Sequence, residues 1–129
     1  MNCKERFPNW KKPEIIHGVP TKYGWTVLYP ENLTLEPYTD IAAYVLINAM
    51  EGVTIGEGSQ VGPFTSILSA NTINNIYGKI KIGKNVRIGA YSLILPGVEI
   101  PDNVFIKAQS IVYRNLRYEN TFLIKQNNG

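Results

Sequence analysis

Cysteine and histidine are almost absent from this sequence, and their scarcity excludes several kinds of site. The 129 residues contain one cysteine, Cys3, and one histidine, His17. A single cysteine forms no disulfide within the chain and no cysteine metal site, which fits a reducing, cytoplasmic setting. No metal site is predicted, because one histidine cannot supply the three histidine ligands of a catalytic zinc ion.

Charge of one sign and long apolar runs are also scarce. The net charge of +3, from 13 Lys and Arg against 10 Asp and Glu, is too small to predict a nucleic-acid partner. The most apolar window, 41–50, is far too short to cross a membrane, and the N-terminus lacks the apolar stretch of a signal peptide. We therefore expect a soluble protein that is not exported and that binds neither nucleic acid nor a membrane.

What the sequence does contain is an aliphatic residue at every sixth position. A period of six matches neither an α-helix nor a simple alternating strand, and it identifies a repeat architecture. The strongest run contains Ile82, Ile88, Ile94, Ile100, Ile106 and Val112. A shorter run, Ile55, Val61 and Ile67, precedes it, and a weaker run, Leu35, Ile41 and Ile47, comes before that.

The other columns of the repeat indicate short strands joined by corners. Small and β-branched residues stand two positions before the aliphatic residues of the two stronger runs, as a narrow interior requires. The fourth column contains Gly58, Asn85, Gly97 and Asn103, which accept a left-handed backbone at low cost. Three hexads then form a triangular coil of about 18 residues, stacked at roughly 4.8 Å on the next coil. The predicted fold is an all-β parallel β-helix of about four to five coils.

The period also divides the chain into segments. Residues 1–34 contain Pro8, Pro13, Pro20 and Pro30 and no clear period, which predicts an irregular N-terminal arm that caps the solenoid. Residues 35–117 form the β-helix, interrupted by a loop at 68–81, and residues 118–129 form a C-terminal tail. For the aromatic cluster Tyr23, Trp25 and Tyr29, capping of the solenoid end is favoured over stacking on a base.

The stretches IGKNVRIGAYSLILPGVEIPDNVFIKAQSIVYRNL and IGEGSQVGPFTSILSANTINN resemble the hexapeptide-repeat acyltransferases, and more closely those that acetylate sugars or nucleotide-linked amino-sugars. The resemblance implies a left-handed coil and a homotrimer with acetyl-CoA in a groove between neighbouring solenoids. It implies that pantetheine contacts the backbone at Gly89, Ala90 and Ala108. Three basic residues are the implied phosphate partners: Lys107, Arg114 and Arg117. Corner packing and solvation are the competing explanations for these residue types.

Family members commonly carry a catalytic histidine in the loop that corresponds to Ser69–Thr72, and this chain has none there. His17 lies in the predicted arm. General-base assistance typically contributes about 10²–10⁴-fold. Its absence matters less for an amine, which is partly neutral near physiological pH. The predicted catalytic residue is Asn71, and the predicted substrate-binding residues, which are equally explained as turn formers, are Ser69, Thr72, Asn74, Asn75 and Tyr77.

Three functions remain open at this point. The first is an N-acetyltransferase that uses acetyl-CoA and an amino-sugar in glycan synthesis. The second is a trimeric scaffold that keeps the fold without the chemistry, since fold does not imply function. The third is a sugar O-acetyltransferase. A γ-type carbonic anhydrase is set aside because it requires three zinc-binding histidines.

Overall fold

The computed structural model describes residues 2–114 and the backbone of residues 123–125, so the predicted phosphate partner Arg117 lies outside the described residues. Three parallel sheets form the sides of a solenoid, and the chain visits them in turn. The first sheet contains β1 (Thr26–Leu28), β4 (Leu46–Asn48), β7 (Ser66–Leu68), β12 (Leu93–Ile94) and β15 (Ile111–Val112). The second contains β2 (Leu33–Leu35), β5 (Val53–Ile55), β10 (Ile80–Ile82) and β13 (Glu99–Ile100). The third contains β3 (Asp40–Ile41), β6 (Gln60–Val61), β11 (Arg87–Ile88), β14 (Val104–Ile106) and the antiparallel β16 (Leu123–Lys125).

The remaining elements lie outside the solenoid wall. A hairpin of β8 (Ala70–Asn71) and β9 (Ile76–Tyr77) projects from the coil, a 3₁₀ turn spans Pro30–Asn32, and the short helix α1 spans Cys3–Arg6. None of the helices in the described ranges is long and apolar enough to cross a membrane. The predicted all-β parallel solenoid is confirmed, and it has about four turns, at the lower end of the four to five coils predicted.

The aliphatic column stacks one residue directly on the next along the solenoid axis. In the first sheet the stack runs through Val27, Ile47, Ile67, Ile94 and Val112, all of them buried. Matching stacks line the other two sheets, so an apolar column runs along each inner wall. Removal of these side chains from water supplies most of the stabilisation, because parallel coils of this kind have no other core.

The length of a coil varies along the chain. Thr26 pairs with Leu46 and Leu46 with Ser66, twenty residues apart each time. The next coil takes twenty-seven residues, from Ser66 to Leu93, because it contains the hairpin. The last takes the eighteen that three hexads predict, from Leu93 to Ile111. The twenty-residue coils explain why the period of six is weak before residue 55. The solenoid starts at β1, which lies within the segment 1–34.

The corners have left-handed backbone, as the fourth column predicts. Gly58, Asn85, Gly97 and Asn103 have φ angles of 75°, 53°, 82° and 62°. Five further residues of the same column have positive φ, although they were not predicted to be left-handed: Tyr38, Tyr44, Phe64, Tyr91 and Gln109. A left-handed backbone costs a residue with a side chain about 1–2 kcal/mol, so these positions require a compensating contact.

The N-terminal arm lies across the first coil. The buried Cys3 anchors α1, Arg6 Nη2 lies 2.7 Å from Asp40 Oδ2, and the Trp10 indole N–H donates to the carbonyl of Thr39 at 2.8 Å. Burial, and then the negative charge of Asp40, raise the pKa of the Cys3 thiol above its ordinary value. The thiol is therefore protonated at neutral pH and acts as a packing group.

Truncation of the inner column tests the core. Ile67→Ala removes a side chain that is 0% exposed and is expected to lower the free energy of unfolding by about 2–5 kcal/mol. Ile73→Ala, at a side chain that is 95% exposed, is the matched control and is expected to stay within about 0.5 kcal/mol. Urea denaturation at one protein concentration measures both, and equal losses would contradict this core.

Candidate functional site

The loop predicted at 68–81 contains the hairpin, which projects from the corner between the first and second sheets. Ala70 pairs with Tyr77 and Asn71 with Ile76 in antiparallel register. Residues 72–75 form the turn, with Asn75 at a φ of 57°. The hairpin therefore collects polar side chains at a single corner of the solenoid.

Within residues 2–114, the side-chain amide of Asn71 is hydrogen-bonded through its oxygen and not through its nitrogen. Its Oδ1 accepts the backbone N–H of Ile73 at 3.2 Å, an Asx turn that fixes the entry to the hairpin tip. Its Nδ2 donates no hydrogen bond within residues 2–114. The residue is half-buried, so the Asx turn holds a hydrogen-bond donor at the end of β8, next to the hairpin turn.

Ser69 differs from the other predicted substrate-binding residues because it is fully buried. Its hydroxyl donates to the carbonyl of Asn48 at 2.7 Å and accepts the N–H of Glu51 at 2.9 Å. Both hydrogen bonds tie the hairpin to the coil below it. The geometry favours a structural role for this hydroxyl.

The other predicted substrate-binding residues are exposed around the hairpin: Thr72, Asn74, Asn75 and Tyr77. The carbonyl of Tyr77 accepts a hydrogen bond from Arg114 Nη2 at 3.4 Å. The Arg114 guanidinium lies against Gly78 and Gly97, where an added Cβ at either glycine would overlap it. The structure thus places Arg114 beside the hairpin and away from the other predicted CoA contacts.

Those other contacts lie at the corner between the third and first sheets. Gly89 donates its N–H to the carbonyl of Ile106 at 2.8 Å, and Ala90 accepts the N–H of Gln109 at 2.9 Å. A Cβ at Gly89 would overlap the backbone of Ala108, so coil stacking itself requires glycine there. Lys107 and Ala108 are exposed in the last described coil. The structure gathers all four residues, and their role in CoA binding stays a prediction.

An aromatic ladder, defined as Tyr44, Phe64 and Tyr91, occupies the same corner. The ring centroids of neighbours are 4.8 Å apart in both pairs, and the interplanar angles are 17° and 7°. Stacking contributes about 0.5–1.5 kcal/mol per pair, which offsets part of the backbone strain at these three corners. Sequence reasoning missed the ladder, although each ring stands three residues after an inner aliphatic residue.

The hairpin and the small-residue corner belong to different edges of one chain. About six residues make one side of the triangle, so the two corners are roughly 15–20 Å apart. A ligand that contacts both sets of residues must therefore lie between two chains, or else run around one side of a single solenoid.

His17 is not part of either corner set. Its Nδ1 accepts the N–H of Tyr29 at 2.9 Å, and its ring meets the ring of Tyr29 edge-on with centroids 5.0 Å apart. Tyr29 follows β1 in the first coil, whereas the hairpin emerges two coils further along, about 10 Å along the axis. The hairpin therefore has no imidazole next to Asn71.

Ser69→Ala tests the structural role of the buried hydroxyl. The variant leaves the N–H of Glu51 without its partner and removes one of the two hydrogen bonds that the carbonyl of Asn48 accepts, since the backbone N–H of Ser69 still donates to it. It is expected to lose about 1–3 kcal/mol of stability. Ser66→Ala, at a half-buried hydroxyl without a hydrogen bond within residues 2–114, is the control and is expected to change little. Thermal unfolding compares them. An unchanged melting temperature for Ser69→Ala would return this residue to the substrate-binding set.

Part of the repeat matches a known protein family, and the chain is similar to two curated proteins. Residues 79–114 match the family described as bacterial transferase hexapeptide (six repeats). The chain is 34% identical over 82 residues to "Putative acetyltransferase YvoF" of Bacillus subtilis (strain 168), an alignment that covers 60% of this chain and 48% of that protein. It is 33% identical over 92 residues to "Serine acetyltransferase" of Buchnera aphidicola subsp. Schizaphis graminum (strain Sg), covering 66% of this chain and 35% of that protein. The alignments thus span about half or less of these curated relatives. No solved structure matches the chain.

Proposed function

We propose that this chain, which belongs to the hexapeptide-repeat transferases, transfers an acetyl group from acetyl-CoA to the amine of an amino-sugar, in its nucleotide-linked form, during glycan synthesis. The observation that carries the proposal is the hairpin at 70–77. It presents a half-buried amide donor among exposed polar side chains, without a neighbouring imidazole. The two relatives named as acetyltransferases support the type of reaction.

The proposed site is shared between two chains of a homotrimer. One chain supplies the hairpin corner with Asn71 and Arg114, and its neighbour supplies the corner with Ala90, Lys107 and Ala108. Neither corner alone presents both a polar acceptor site and a small-residue wall. A closed ring of three chains brings unlike corners together three times by symmetry.

Acetyl-CoA lies in the groove between these corners in this proposal. Gly89, Ala90 and Ala108 let the pantetheine arm approach the backbone, since none of them has a side chain larger than a methyl group. Lys107, Arg114 and Arg117 bind the phosphates, for which ammonium and guanidinium donors are well suited. The aromatic ladder forms an apolar wall at the neighbour's corner.

The chemistry needs a positioned amine and a donor for the thioester oxygen. The lone pair of the neutral amine attacks the carbonyl carbon, and negative charge develops on the carbonyl oxygen, where Asn71 Nδ2 donates a hydrogen bond. The tetrahedral intermediate then expels the CoA thiolate, and the nitrogen gives up a proton to solvent or to the departing sulfur. Positioning and a preorganised donor are the two contributions that the protein makes.

The amine is favoured over a hydroxyl because an alcohol keeps its proton at neutral pH and loses the general-base contribution of about 10²–10⁴-fold when no base is present. Thr72, Asn74, Asn75 and Tyr77 surround the hairpin tip and supply hydrogen bonds to sugar hydroxyls. Ser69 contributes by holding the base of the hairpin.

A thiol-release assay distinguishes the open functions. The protein is incubated with acetyl-CoA and either nucleotide-linked 3-amino and 4-amino sugars, the matched hydroxyl sugars, or serine. CoA release with the amino-sugars alone is the expected result. Release with the hydroxyl acceptors would establish O-acetyl transfer instead. No release with any acceptor, together with failure of CoA to bind, would favour the trimeric scaffold.

Asn71→Asp tests the proposed donor without disturbing the hairpin. Aspartate keeps the oxygen that accepts the N–H of Ile73 and removes the N–H₂ group. We expect kcat to fall by about 10²–10³-fold, the usual effect of removing one oxyanion donor, with the melting temperature unchanged. Asn32→Asp, at an exposed amide that donates to the carbonyl of Met50, is the control. Equal activity of the two variants would exclude Asn71 as the donor.

Subunit complementation tests the shared site. Asn71→Asp damages the hairpin corner, and Ala108→Trp blocks the small-residue corner. When the two variants are co-expressed, about a quarter of the sites in randomly mixed trimers receive both corners intact, and about that fraction of activity is expected to return. The variants expressed separately are the controls. A mixture as inactive as its parents would show that each site lies within one chain.

A further inference from the structure

A cavity of about 740 Å³ separates the N-terminal arm from the first coil. This volume lies within the range of small-molecule sites, about 300–1,000 Å³. The arm spans the opening at residues 6–14, and the first coil forms the floor. A segment that served only to cover the apolar end of the solenoid would pack onto it and leave no such space.

The floor of the cavity is apolar and partly planar. Trp25 is 3% exposed and Ile41 is 7% exposed, and both line the space together with Leu35. Trp10 lies in the opposite wall, held by the hydrogen bond from its Nε1 to the carbonyl of Thr39 at 2.8 Å. Two indole rings thus contribute to one cavity, which suits a flat ring-bearing ligand.

Thr39, whose hydroxyl group has no partner among the described residues, also lines the cavity. Thr39 is 5% exposed, and its Oγ1 makes no hydrogen bond within the part of the chain that the structure describes. Most buried hydroxyl groups are paired, because an unpaired one forfeits its hydrogen bonds to water. A polar group on a ligand would satisfy it.

The rim of the cavity carries an excess of positive charge. Lys11, Lys12 and Lys22 line it, and none of the three forms an ion pair with the described residues. Of the two carboxylates at the rim, Asp40 is already paired with Arg6, which leaves Glu14. The local field therefore favours an anion.

We propose that this cavity is a second binding site, for a planar ring-bearing anion whose ring lies in the aromatic part and whose phosphate or carboxylate meets the rim lysines. A nucleoside monophosphate and an aromatic carboxylate share this chemistry. The cavity lies at the open end of the first coil, two coils from the hairpin, so the ligand is distinct from the acetyl acceptor. This proposal does not depend on the acetyl-transfer function.

Tryptophan fluorescence reports on this cavity, because Trp10 and Trp25 are the two tryptophans of the chain and both line it. The full chain, excited at 295 nm, is titrated with adenosine monophosphate, adenosine, ribose 5-phosphate and benzoate. Adenosine monophosphate or benzoate is expected to give a saturable change. Whichever binds tighter identifies the source of the anion. Adenosine and ribose 5-phosphate, which each lack one half of the proposed ligand, are expected to bind at least about fivefold more weakly than adenosine monophosphate, the loss of one net interaction.

Two variants separate binding from folding. Thr39→Val removes the unpaired hydroxyl at nearly constant volume, so affinity is expected to fall about fivefold while the melting temperature stays the same or rises. The double variant Lys11→Gln with Lys12→Gln is expected to bind the anion more weakly and to lose most of the salt dependence of binding. Lys81→Gln, an exposed lysine on β10 outside the cavity, is the charge control.

The proposal is overturned if no probe gives a saturable fluorescence change. It is also overturned if Thr39→Val lowers the melting temperature and leaves affinity unchanged, because the hydroxyl is then structural. Equal effects of the double variant and of Lys81→Gln would show that binding responds to overall charge and not to the rim.

Discussion

The structure depends on the stacking of parallel coils through backbone hydrogen bonds at a fixed rise of about 4.8 Å. That rise places equivalent side chains of successive coils directly on one another, which produces the column of Ile47, Ile67 and Ile94. It also brings the corner of each coil into contact with the corner above, so Gly89 cannot carry a Cβ without overlapping Ala108. Inner hydroxyl groups such as that of Ser92, which donates to the carbonyl of Gly89 at 2.8 Å, satisfy the corner carbonyls.

Function on such a scaffold is confined to places where stacking is interrupted or where a corner faces outward. The hairpin lengthens one coil from eighteen to twenty-seven residues without disturbing the coils on either side of it, because the inserted residues leave and return at the same corner. Asn71 is the last residue before the turn of the hairpin, and its hydrogen bond to Ile73 gives its side chain a fixed orientation. The cavity under the N-terminal arm lies at the end of the solenoid, where the first coil has no coil below it.

Much of the fold could be predicted, because the period of six is imposed by the inner column and is legible in the sequence. The left-handed corners at Asn85 and Asn103 followed from the small cost of that backbone for asparagine. The corners at Tyr44, Phe64 and Tyr91 did not, because an aromatic residue at positive φ is unfavourable by itself, and the stacking that offsets part of this cost joins residues of successive coils. For the site, the loop position was predictable, whereas the hairpin, the burial of Ser69 and the location of Arg114 at a separate corner depend on which residues the coils bring together.

The proposed acetyl transfer uses the acceptor amine in its neutral form, without a general base on the protein. The most direct test is the pH dependence of kcat/KM for two amino-sugar acceptors whose amines have different pKa values. The neutral-amine mechanism predicts that activity rises with pH through a single ionisation, and that this ionisation moves with the pKa of the acceptor. A profile that stays at the same pH for both acceptors and is lost in His17→Ala would contradict it, because the protein would then supply the base.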